Sequence, residues 1–419
     1  MTGPATKQKK MSLAPPKSKT KQPKQFKPST PPSAAKIPHL SNELIARIVD
    51  FLQDDAQTLK SCSLASHSFL SFSRRLLFNI VHLNLRNSQT FIKILESSPG
   101  VGSFVKEVHV TVSAHESPPW VDKHLFSISE KLPKATALYL KGKAIFTATP
   151  ILGFRAIRSL HLLGCELDST NTFLTLLGSF PHLEIVYANE MVVYRESATA
   201  SKELRLLPDR RPNNFKSFTS NSCRLDPDRF AAFIVDSGFH KTLDYFASCP
   251  LQDTSLPALG TIIGACGPRL KQLKIALVSM KEQGGFIEPL KKHVDLTLNT
   301  GLVILELCSP AAYARLYGAD DLSFEWFPHL LSQVSSPYIE ELGFYLWQED
   351  LDELVSPPWD QIVRLLGTPQ FSSLKRVAFH VWGEEPMMSM IVATVRRMFA
   401  EFEERGILRI DSTPDPACI

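Results

Sequence analysis

The apolar positions of this chain change rhythm after residue 78. Between Leu40 and Phe78 they recur at three- and four-residue steps; from Asn79 onward they form short alternating runs separated by helix-like stretches. In the first region Ser41 is placed to cap a helix, and Glu43 sits in its first turn, where a negative charge suits the helix dipole. Leu44, Ile45, Ile48, Val49 and Leu52 then give one broad apolar face that ends near Asp54 and Asp55. A second helix is predicted over 56–65, with Leu59, Cys62 and Leu64 apolar, and a third over 68–78, with Phe69, Phe72, Leu76 and Leu77. Three helices this short bury little surface, so their apolar faces are expected to need a partner as well as each other.

After a first strand near Ile80–Leu85, an apolar-x-x-apolar-x-apolar hexad recurs. Clear copies fall at Val105/Val108/Val110, Ile157/Leu160/Leu162, Leu183/Val186/Ala188, Leu270/Leu273/Ile275, Leu302/Leu305/Leu307, Ile339/Leu342/Phe344 and Leu374/Val377/Phe379. Weaker ones fall at Leu138/Leu140, Phe215/Phe218 and Leu243/Tyr245. Ten units at a mean spacing of about 30 residues sit near the upper edge of the leucine-rich-repeat range. In such a repeat alternate strand residues point inward and neighbouring units close a core that none could form alone. Between strands the order is helix, break, strand, as in Asn171–Leu177 followed by Phe180, Pro181 and Leu183. Near the end, one helical face over 388–405 precedes Gly406 in C-cap position and a last strand at 407–410.

The fold expected is therefore α/β: a short helical unit at 37–78, then an irregular right-handed leucine-rich-repeat-like solenoid over 79–411, with a flexible tail at 412–419. The rival is a doubly wound α/β sheet, which calls for fewer, more compact units and a glycine-rich phosphate turn.

Charge refines this picture at one end. The net charge is +4, yet residues 1–36 hold nine lysines and no Asp, Glu or Arg, so the rest of the chain is net negative. That segment, rich in Lys, Pro, Ser and Thr, is too poor in large apolar side chains to offset an ordering entropy of about 1–2 kcal/mol per residue, and disorder is expected. A nuclear import role for Lys7–Lys10 is a second reading of it. Seven cysteines at wide, uneven spacing do not form a disulfide framework or a metal pattern, which suits a reducing compartment, cytoplasmic or nuclear. No run resembles a signal peptide, a membrane span or a lipidation signal, and no membrane partner is expected.

The stretch Leu40-Ser41-Asn42-Glu43-Leu44-Ile45, followed by Ile48-Val49-Asp50-Phe51-Leu52, resembles the opening of the F-box. The run 59–69 and then Arg74-Arg75-Leu76-Leu77-Phe78 are similar to that family's second and third helices. Ser41 stands where the family usually has Pro, His67 where Arg or Lys is more common, and Phe69 where Trp is common. The resemblance implies a module that docks on the small Skp-family adaptor of an SCF-type cullin-RING ubiquitin ligase, while the remainder captures a target protein. By the same analogy Leu40, Ser41, Leu44, Ile45, Ile48, Leu59 and Leu64 form the docking surface, as an amphipathic helical face entering an apolar groove. For Leu64, packing within the unit is an equal reading.

No phosphate loop, dinucleotide turn, zinc helix, nucleophile elbow or zinc spacing occurs, so no catalytic, cofactor or metal residues are expected, and the chain reads as a non-enzyme. Two other functions compete: a repeat scaffold with no ligase role, and a helix-turn-helix that sets Arg74 and Arg75 near nucleic-acid phosphates. For the target, the two long excursions are the first places to look. One spans 194–214 and carries Arg195, Arg205, Arg210 and Arg211; the other spans 309–337 and carries Tyr313, Tyr317, Phe324, Trp326 and Phe327. Aromatic anchors favour the second, with its neighbour Trp347, although filling the core beneath a long loop accounts for the same residues.

Overall fold

The computed structural model describes residues 40–113, 120–143, 145–193, 214–278, 287–308, 324–347, 358–382 and 387–412. The calls on Tyr313 and Tyr317, on the basic segment 1–36, on most of the arginine-bearing excursion and on 413–419 lie outside these residues.

Three helices open the described chain: α1 (Asn42–Asp50), α2 (Ala56–Ala65) and α3 (His67–Leu77). Each begins on a side chain that satisfies otherwise orphaned backbone donors. Ser41 Oγ accepts from Leu44 N–H, Asp55 from the N–H groups of Gln57 and Thr58, and Ser66 from Phe69 N–H. Ile45, Val49 and Leu59 are buried together, with Leu52, Phe69, Phe72, Leu76 and Leu77 packed around them, and this small core is separate from that of the repeats. Arg75 reaches back from α3 to Asp50 at 2.9 Å.

Fifteen strands follow: β1 (Ile80–Leu83), β2 (Glu107–Thr111), β3 (Ala137–Lys141), β4 (Ile145–Phe146), β5 (Ser159–Leu163), β6 (Glu166–Leu167), β7 (Ile185–Asn189), β8 (Val192–Val193), β9 (Ser217–Asn221), β10 (Tyr245–Gln252), β11 (Gln272–Val278), β12 (Ile304–Cys308), β13 (Glu341–Trp347), β14 (Arg376–Trp382) and β15 (Leu408–Ser412). Twelve of them form one sheet in sequence order, and β4, β6 and β8 form a small second sheet that the hexads do not reveal. Every pairing is parallel. A doubly wound fold reverses its strand order about a switch point; here the order never reverses, which excludes that rival and leaves a leucine-rich-repeat-like array.

The register explains the hexads. Val81, Val108, Leu138, Leu160, Val186, Phe218, Phe246, Leu273, Leu305, Leu342, Val377 and Leu408 lie side by side in one row. This corrects the tenth-strand reading: its inward residue is Phe246, and Tyr245 lies one position out of phase, on the other face. A one-residue slip would turn every such side chain outward, so the apolar row itself fixes the register. The inward row pairs with the helices between strands, such as Thr170–Ser179, Leu256–Cys266 and Trp326–Gln333, in one continuous core.

Polar groups lock successive turns. Buried Asn299 donates from Nδ2 to the carbonyls of Ile263 and Gly267, closing the end of the helix Leu256–Cys266, and Ser336 Oγ donates to Leu302 O. Just before the strands, Arg158 pairs with Glu184 at 3.1 Å, Lys216 with Glu184 at 3.7 Å, Arg269 with Asp244 at 2.9 Å and Lys375 with Glu340 at 2.6 Å. These exposed pairs are worth about 0–1 kcal/mol each and act more on alignment than on stability. The last helical region is broken at Phe399 into Met387–Met398 and Ala400–Glu404. Its end is as anticipated: Gly406 has φ 71°, its N–H donates to Glu403 O, and Ile407 N–H donates to Phe402 O.

Phe324, Trp326 and Phe327, candidates for target anchors or for core filling, are buried in the main core; Phe327 packs edge-on against Phe324 and Trp326 and lies tilted against Phe344. They fill the space beneath the sheet because the helix Trp326–Gln333 turns its aromatic end inward. Phe327→Ala is therefore expected to lower unfolding free energy by about 3–5 kcal/mol in a denaturant titration. An unchanged midpoint would contradict this placement.

Candidate functional site

Two surfaces among the described residues stand out by their side chains. On α1, apolar residues occupy two stripes instead of one. Ile45 and Val49 face the unit's own core, whereas Leu44, Ile48 and Phe51, at steps of four and three, are 50 %, 41 % and 90 % exposed. Leu64, near the end of α2, is 87 % exposed, and Leu40 is 45 % exposed ahead of the cap. Of the anticipated docking residues, Leu40, Ser41, Leu44, Ile48 and Leu64 are accessible. Ile45 and Leu59 are not: both are buried in the helical core and support the surface from beneath. Phe51, the C-cap residue three positions on from Ile48, is not among the anticipated docking residues but continues the outward stripe. Each such side chain contributes about 1.5–3 kcal/mol if a partner covers it fully.

The second surface is the face of the large sheet opposite the main core. Its central row, set by the same register, reads His82, His109, Tyr139, His161, Tyr187, Thr219, Ala247, Lys274, Glu306, Gly343, Ala378 and Arg409. The first five are rings, and they form a ladder. Successive centroids from His82 to Tyr187 are 4.6, 4.1, 4.1 and 5.9 Å apart, and Tyr139 lies within 12° of parallel to both its neighbours. This ladder was readable as the residue between paired apolar positions, as in Val108-His109-Val110, but hexad counting looks only at the apolar positions.

The far half of the face is closed on itself. Lys274 Nζ sits 3.5 Å from the centre of the Tyr345 ring, Tyr345 O–H donates to Glu306, and the same ring stacks on His380 and Trp382. Arg376 pairs with Glu341 and Arg409 with Asp411. Burial, then the Glu306 carboxylate, pushes the Tyr345 phenol far above its ordinary range. Trp347 closes β13 opposite Trp382; its side chain lies outside the described set.

The described residues hold no group of three or more His, Cys, Asp or Glu side chains that could bind a metal. Burial pushes the thiols of Cys165 and Cys266 up to about 12 and that of Cys223 up to about 11, which leaves them protonated and poorly nucleophilic near neutrality. A cavity of about 70 Å³ lies where Ser220 and Ser248 replace large inward residues, lined also by Phe230 and Ile262. It falls well below the ~300–1,000 Å³ of a small-molecule site. No described helix is long and apolar enough to cross a membrane.

Burial is the first cause holding His109, His161, His329 and His380 below the usual imidazole range. A folded-state value below the unfolded one means that the unfolded chain binds more protons, so stability is full above about pH 6.5 and declines as pH falls through the folded values. Denaturation midpoints are expected to fall from neutral toward mildly acidic pH, and less so in a His109→Gln/His161→Gln variant. Midpoints that rise on acidification would refute this sign.

No family model and no curated protein matches this chain. Among solved structures, a Bacteroides fragilis protein is 13 % identical over 80 % of this chain and 75 % of its own, with a TM-score of 0.30. An internalin from Listeria monocytogenes is 14 % identical over 73 % of this chain and 93 % of its own, with a TM-score of 0.28.

Proposed function

We propose that this chain is a non-catalytic, two-ended adaptor. Its helical unit docks the Skp-family subunit of an SCF-type cullin-RING ubiquitin ligase, and the open face of its repeat sheet captures a target protein. One observation carries the reading: a unit with a complete small core of its own still exposes Leu44, Ile48, Phe51 and Leu64. Large apolar side chains in a stripe on so small a body mark a surface that a partner covers. The F-box-like sequence supplies the kind of partner, and an adaptor of this kind acts in the cytoplasm or nucleus. The helix-turn-helix alternative is disfavoured, because Arg75, one of its two phosphate contacts, is engaged by Asp50.

The test is co-purification with a Skp-family adaptor. Wild-type chain is expected to retain it stoichiometrically, and Leu44→Asp/Leu64→Asp to lose at least ~100-fold in affinity, in line with two side chains at about 1.5–3 kcal/mol each. Both positions are exposed, so circular dichroism and the denaturation midpoint should be unchanged. Wild-type chain that folds but captures no adaptor would leave the repeat scaffold without a ligase role.

A further inference from the structure

The ring ladder has a chemistry that the rest of the open face lacks. Rings stacked along the sheet spend their faces on one another, so what they present to solvent is edges: imidazole N–H and phenol O–H groups in a row. Such a row is a poor platform for stacking a ligand and a good one for donating hydrogen bonds to anionic oxygens. Its charged surroundings are few. Glu107 on β2 lies 3.5 Å from His109 Nε2, Lys141 on β3 is the neighbouring cation, and His82 on β1 flanks His109. On β5, β7 and β9 the open face otherwise carries Ser159, Leu163, Ile185, Asn189, Ser217, Thr219 and Asn221, none of which ionises near neutrality. Ser159 Oγ sits 2.7 Å from His161 Nε2.

Near neutral pH this half of the face is balanced between Glu107 and Lys141; each proton taken up by an imidazole makes it cationic. Among the described residues the far half offers no comparable site, since Lys274 and Glu306 are engaged by Tyr345, Arg376 by Glu341 and Arg409 by Asp411. Positive imidazoles 4.6 Å apart, as at His82 and His109, repel unless a negative group lies across them. Protons and an anion therefore favour each other's binding. Five strands at about 4.8 Å give a row roughly 19 Å long, which matches about six residues of extended chain.

We propose that the His82-to-Tyr187 ladder is a proton-gated acceptor for an extended acidic segment of the captured protein, with His109 and His161 as the gating groups. This rests on the open face being the capture surface. The probe is a Glu-rich octapeptide, with its Gln counterpart as control, titrated calorimetrically into the full chain in two buffers of different ionisation enthalpy. Affinity for the Glu peptide should rise about tenfold as pH falls from roughly 7.5 to about 5, since imidazoles held below their usual range charge mainly below about pH 6.5, with net proton uptake. The Gln peptide should show neither effect. His109→Gln/His161→Gln, folded by circular dichroism, should lose both the pH dependence and the proton uptake.

Equal pH dependence in that variant would assign the effect to overall charge or to the lysines of 1–36 and overturn the proposal. So would pH-independent binding, equal binding of the Gln peptide, or no binding at either pH. Adaptor capture is read on the same preparations. If capture is retained and the peptide response is absent, the ladder fails alone; a peptide response without capture removes the adaptor reading alone.

Discussion

In-register parallel pairing is the interaction on which the rest of this protein depends. A single strand and its helix cannot cover their own apolar surface, so each turn is stable only when its inward residue falls beside those of the turns before and after it. The row from Val81 to Leu408 meets that condition twelve times, despite connections that range from a twelve-residue helix at Met387–Met398 to a single 3-10 turn at Thr149–Ile151. Where side chains shrink at Ser220 and Ser248 the core loosens into the small cavity; the pairing of β9 with β10 holds there, while that of β10 with β11 shifts between Ser248 and Leu251. Buried Asn299 and Ser336 act in the same direction, since an unpaired carbonyl left inside costs about 1–3 kcal/mol.

The same constraint builds the open face. Fixing the inward positions also fixes which residue stands between them, so twelve side chains that are far apart in sequence become a continuous row. His82 and Tyr187 are over a hundred positions apart, yet they are the two ends of one ladder. Nothing in the local sequence announces this, because a ring between two apolar residues is ordinary in any strand. It becomes a surface only through the repeat.

Legibility follows from these physics. The strands are readable wherever the inward residues are large, and a helix start where a Ser offers its side chain as a cap, as at Ser41. Tyr245 misleads because an aromatic residue on either face fits a strand equally well, and only pairing with β9 and β11 puts Phe246 inward. Trp326 and Phe327 are open to two readings for a related reason, since aromatic residues serve cores and interfaces alike, and burial decides for core filling. In the helical unit, periodicity finds the apolar positions but cannot divide two adjacent stripes. Ile45 and Leu44 are neighbours in sequence and opposite in fate.

The two surfaces differ in what they cost the free protein, and this bears on how they could work together. The outward stripe of α1 leaves apolar area in water on a unit with only three buried hydrophobic residues at its centre, so cover by a partner would stabilise that unit by an amount comparable with its own core. The ring ladder carries less of this burden, because its rings stack on one another and, from His109 to Tyr187, are partly buried. Since the helical core and the repeat core are distinct, a change in one need not pass to the other through packing. On the reading proposed above, a partner at the helical end would add cover to a unit whose own core is already closed, whereas binding at the ladder would follow protonation of its imidazoles.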